Sequence, residues 1–157
     1  MPGFDAIYKQ TVTVFNRKEI GGTIYWCPNV IRNVHLIVDR SIIISTYGEH
    51  AQDNAKLHIR FVPVGDSVNI STDSGSKVYM TPKEFKRSGD VSGNITFAFG
   101  DEFDFIMEGE YEERGIVNDE EYRDGFFNYM NFNYDNVFAI TQVSKFNLIP
   151  HFEIAAR

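Results

Sequence analysis

Short runs in which apolar and polar residues alternate set the character of this chain. Over residues 55–62, Leu57, Ile59 and Phe61 fall on one side and Lys56, His58 and Arg60 on the other, the period-2 pattern of a half-buried strand. Val34, Leu36 and Val38 alternate with His35, Ile37 and Asp39 in the same way. Residues 10–15 form an earlier β-branched run, and residues 17–22 read as a turn broken by Gly21 and Gly22. A strand over residues 23–27 should follow, demoted by Pro28. Residues 40–54 are the least regular stretch, with a short helix expected over 41–47 and a polar loop after it.

In the second half, residues 63–75 are rich in Gly, Asp, Ser and Asn and read as a loop or loose hairpin before a short strand at 77–80. Thr81, Pro82 and Glu84 stand where a helix start wants its N-cap, its first-turn proline and its capping-box glutamate. A hairpin is expected from residues 94–99 and 103–107 around Gly100, and residues 108–119 should form an acidic exposed stretch. Within the aromatic block 122–134, Phe126, Tyr129, Met130 and Asn133 recur at spacings of three and four, predicting a short helix. Asp119, Glu120 and Glu121 would complement its N-terminal dipole. Residues 137–143 and 149–155 predict a closing antiparallel hairpin. The sum is a mainly β fold, a compact barrel or sandwich of about eight short strands with one or two short helices. It is expected to form a single β-rich domain over residues 1–157.

Composition narrows the function classes. Of 157 residues, 15% are aromatic, with 14 Phe and 8 Tyr, which suits strands and interfaces. A net charge of -7 argues against sequence-specific nucleic-acid binding, which draws on clustered Lys and Arg. No apolar run approaches the ~18 residues of a membrane span, and the start of the chain lacks a signal-peptide pattern. A cytosolic, membrane-free protein is therefore expected. The single cysteine, Cys27, permits neither an internal disulfide nor a multi-cysteine zinc site.

Candidate chemistry is sparse. His35, His50, His58 and His151 show no metal-ligand spacing along the chain, so surface histidines are expected; His35 with Asp39 and a distant third ligand is the one mixed metal arrangement considered. Cys27 stands between Trp26 and Pro28 and reads as a packed small hydrophobe rather than a nucleophile served by His35. The acidic runs lack the order of a calcium loop, and no glycine-rich phosphate loop occurs. The expectation is a non-enzyme with no cofactor and no metal. A carbohydrate-binding or carbohydrate-active β-domain is the rival, requiring carboxylates such as Asp104, Glu108 and Glu110 to converge in a cleft. Asn residues interleaved with aromatics over 128–134 suit a wet contact surface as well as a packed core. Phe126, Phe127, Tyr129, Phe132 and Tyr134 are the candidate contact residues there.

Several stretches carry a family resemblance across nearly the whole chain: residues 8–17, 33–40, 47–48 with 53–59, 79–85, 95–97 with 103–105, and 122–154. On these the chain resembles structural proteins encoded by tailed phages and prophages of gut bacteria. Its element order is also similar to head–tail joining (head-closure) proteins, small β-barrels that form a ring beneath the portal and adaptor. The resemblance implies a virion neck protein acting by subunit assembly, with portal, adaptor and tail proteins as partners. It also implies a homo-oligomeric ring through which DNA passes, and residence in the host cytoplasm before incorporation into the virion. In that picture residues 40–54 form a channel-side or neighbour-contacting loop, adding Tyr47 and His50 to the contact candidates. The region 77–107 and the aromatic block are longer than the simplest such barrel requires, which leaves a tail-terminator or tail-completion, adaptor or other neck role open.

Overall fold

Gly21 and Gly22 carry positive φ angles of 59° and 83°, as a two-residue hairpin turn of type I′ demands. They join β1 (Gln10–Ile20) to β2 (Thr23–Val38). The computed structural model describes residues 7–39 and 54–157, so the helix expected over 41–47 lies outside the described residues. Next come β3 (Ala55–Arg60), β4 (Val62–Val64), β5 (Ser67–Thr72) and β6 (Gly75–Tyr79). Helix α1 (Pro82–Arg87) leads to β7 (Asn94–Ile95) and β8 (Phe105–Glu108). After β9 (Val117–Asn118) and a 3-10 turn (Asp119–Glu121) come α2 (Phe126–Asn133), β10 (Val137–Phe146) and β11 (His151–Ala156).

Six of these strands close on themselves. β1 pairs with β8, β8 with β10, β10 with β11, β11 with β3, β3 with the end of β2, and β2 back with β1, every pair antiparallel. Closure joins the six strands edge to edge around the ring. Val12, Val14, Ile31, Leu36, Leu57, Ile106, Ile140 and Ile154 fill the interior. A smaller sheet, β4-β5-β6-β7, is attached beside it, with β6, α1 and β7 forming a parallel crossover.

The long strand β2 replaces the two strands expected at 23–27 and 34–38. Pro28 lies within it and pairs with Phe15, and among the described residues no strand pairs with the opposite edge of β2 between Trp26 and His35. A missing N–H is tolerated on such an edge. Asn33 takes φ 59° where the pairing slips, Gln10 facing Val34 and Thr11 facing Arg32. This one-residue bulge swaps the inward parity, from Asn29 and Ile31 before it to Val34 and Leu36 after it, as a register slip must. It also turns the strand from β1 toward β3.

Of the loop or loose hairpin expected over residues 63–75, the hairpin form is found, as two tight hairpins, β4–β5 and β5–β6. The expectation for residues 94–107 is corrected, because they do not pair as a hairpin. Asn94 and Ile95 join β6, Phe105–Glu108 inserts between β1 and β10, and a bond from the Asp104 amide to the Ala98 carbonyl at 2.9 Å links them.

β1 is buried on both faces because a second core lies outside the barrel. Phe15, Phe105, Met107 and Val137 point outward from β1, β8 and β10, and α2 covers them with Phe126 and Met130. Phe15 stacks on Phe105 at 4.5 Å and meets Phe126 edge-on at 5.4 Å, the geometries aromatic quadrupoles favour. Asp119 docks this layer, its Oδ1 accepting from Trp26 Nε1 at 2.9 Å and from the Phe126 amide at 2.8 Å. Of the three acidic residues expected at the helix start, Asp119 alone bonds the first amide of α2.

Candidate functional site

The predicted contact residues separate by depth. Tyr47 and His50 lie outside the described residues. Phe126 is fully buried; it belongs to the core under α2, which corrects its assignment as a contact residue. Phe127 is half-buried, its ring edge-on to Phe103 and Phe105 at 5.0 Å each. Tyr129, Phe132 and Tyr134 reach solvent, Phe132 with 90% of its surface exposed. The helical spacing explains the split: Phe126 and Met130 share the inward face, and Phe132 points away from it. Tyr122 and Tyr129, 4.7 Å apart, border a shallow groove that continues to Phe132.

A second apolar surface stands at the other end of β10, a strand of ten residues and so roughly 30 Å long. In the turn to β11, Leu148 is 98% exposed, and Phe146 and Ile149 are exposed beside it. Phe61 donates its amide to the Pro150 carbonyl at 3.2 Å, bringing exposed Val62 and Val64 of β4 to the same end. The sequence offered only the alternation of the final hairpin here, and the apolar turn residues were missed.

The outer wall of β2, β3 and β11 carries the third feature. His35 faces His58 in the β2–β3 register and stacks on it at 5.6 Å; His58 stacks on His151 at 5.9 Å, and His151 on Phe146 at 5.0 Å. His58 also pairs in register with Glu153. One ligand atom each from His58, His151 and Glu153 lies within 4.8 Å of the others. Burial and the neighbouring imidazoles hold the His58 pKa below its ordinary value, against the opposing pull of Glu153. The expectation of isolated surface histidines is therefore corrected: His35 has His58 as its ring neighbour, and the cluster joins strands distant in sequence. A local signal existed, because His151 and Glu153 are two apart and share one face of a strand.

The carboxylates of the carbohydrate-active alternative do not converge. Asp104 is buried in the fold and accepts from the Arg17 amide at 2.8 Å, the Ala98 amide at 2.8 Å and Asn16 Nδ2 at 3.0 Å. Its burial pushes the carboxyl up to about 7. Glu108 accepts from Asn136 at the surface. Glu110 pairs with Arg32 at 2.6 Å and with Arg114, in a network that Asp73 completes.

Nor do the buried nucleophile types have a catalytic setting. Lys18 donates all three ammonium protons, to the carbonyls of Phe85, Lys86 and Ser88, pinning the end of α1 to β1. Lys77 donates to Asn29 Oδ1 at 2.6 Å. Burial pushes the Cys27 thiol up to about 11, so it stays protonated at neutral pH.

The chain belongs to a family of unknown function, DUF6751, whose model matches residues 7–157. No curated protein and no solved structure matches.

Proposed function

We propose that this DUF6751 member is a structural subunit of a phage or prophage particle, a head-closure protein of the head–tail neck that acts by assembling into a ring. The observation that carries this reading is the pair of exposed apolar surfaces at opposite ends of β10, Phe132 with Tyr129 and Tyr134, and Leu148 with Phe146 and Ile149. A ring needs two different surfaces that meet heterologously around a closing axis, and apolar side chains this exposed suit such contacts. The closed barrel supports the same reading, since closure joins its strands to one another and leaves association largely to side chains and loops. The acidic balance, -7 overall, suits a passage along which DNA slides without being gripped.

Deleting the gene and imaging the particles by electron microscopy tests the assignment. Full heads without tails are expected, and full heads still joined to tails would remove the neck role. A tail-terminator role predicts instead tails of irregular length. Gene order separates the two independently, closure lying beside the portal and adaptor genes and termination beside the tail-tube gene.

A further inference from the structure

We infer that His58, His151 and Glu153 form a binding site for a single divalent transition cation of the imidazole-preferring class, with zinc as its natural probe. The argument begins at His151. Its Nδ1 lies 2.7 Å from the Ile149 carbonyl, an acceptor only, so Nδ1 carries the proton. Its other nitrogen, Nε2, then faces Glu153 Oε2 at 3.2 Å. In the neutral imidazole this sets a lone pair against a carboxylate oxygen. A cation between them turns that opposition into two coordinate bonds. A backbone carbonyl holding the far nitrogen is also how metal-bound imidazoles are oriented.

Strand register supplies the third donor. His58 stands opposite Glu153 across β3 and β11, and its ring lies 5.9 Å from that of His151. Two imidazoles and a carboxylate make a donor set suited to zinc, with one position left for water or a further group. Ligands at ~2.1 Å in a tetrahedron stand about 3.4 Å apart. His151 Nε2 and Glu153 Oε2 already stand at 3.2 Å, and the remaining separations, within 4.8 Å, close by small side-chain rotations that bring in the His58 donor and the 43% exposed Glu153 carboxylate. His35, stacked on the far side of His58, braces that ring. This inference stands on the barrel wall and is independent of the neck assignment.

Zinc titration of tag-free, metal-stripped protein against a chromogenic chelator tests it. One Zn²⁺ per chain is expected, half-saturating at or below ~10 µM, with at least ~10-fold weaker binding in His58→Gln and in Glu153→Gln. Thermal melts of the metal-free proteins establish that each variant is folded. All three side chains stand on the outer wall, so both variants should melt close to the parent, and zinc should raise the midpoint of the parent alone. No saturable binding, or equal binding by the parent and both folded variants, would overturn the site.

Discussion

Asp104 couples the fold to pH. Its carboxyl is buried and pushed up to about 7, whereas an unfolded aspartate titrates near 3.9. Between those values the folded chain holds a proton that the unfolded chain has released, so this group's contribution to stability falls as pH rises from about 4 to about 7. Urea unfolding of the parent and of Asp104→Asn across that range should show the parent losing stability relative to the variant as pH rises, by up to about 4 kcal/mol. A constant difference would mean that Asp104 is ionised throughout, held by the three N–H groups that surround it. The aromatic block permits a second comparison. Phe126→Ala should cost about 3–5 kcal/mol, as a large buried ring does, and Phe132→Ala less than about 0.5 kcal/mol, both read by chemical unfolding. Position along the chain hardly separates these residues; position around α2 does.

At the scale of elements, local chemistry marks the start of α1 and the bulge of β2 with very different clarity. Thr81 Oγ1 accepts from the Glu84 amide at 3.3 Å, and Glu84 Oε1 accepts from the Thr81 amide at 3.2 Å, the reciprocal capping box that the sequence pattern announces. Thr81→Ala should destabilise the protein by about 1 kcal/mol in thermal or urea melts. Asn33 has no comparable signature. Its φ of 59° suits Asn or Gly, so Asn33→Gly should be nearly neutral and Asn33→Val should cost about 1–3 kcal/mol in the same measurement. Alternation made the faces of β3 legible, and the spacing of Phe126 and Met130 made α2 legible. The bulge was hidden because one residue reverses which parity faces inward, making one strand read as two. The fate of residues 94–107 was hidden because pairing to β1, β6 and β10 is settled by distant partners. The same non-local pairing concealed the cluster of His58, His151 and Glu153, while Phe126 looked like a contact residue because aromatic character alone does not distinguish core from surface.

For the whole molecule, a closed barrel with two apolar surfaces at opposite ends of a ten-residue strand is equipped to meet neighbours through side chains. Those surfaces are separate from the interior that stabilises the barrel, so charge placed on them should spare folding while preventing association. The most direct test is complementation of a gene-deleted phage with the parent gene, Phe132→Asp or Leu148→Asp, scored by electron microscopy as the fraction of full heads carrying tails. Restoration by the parent gene, and failure by both variants although each is made as a folded protein, is the result expected of a neck ring built on these two surfaces. Equal restoration by all three genes would contradict it.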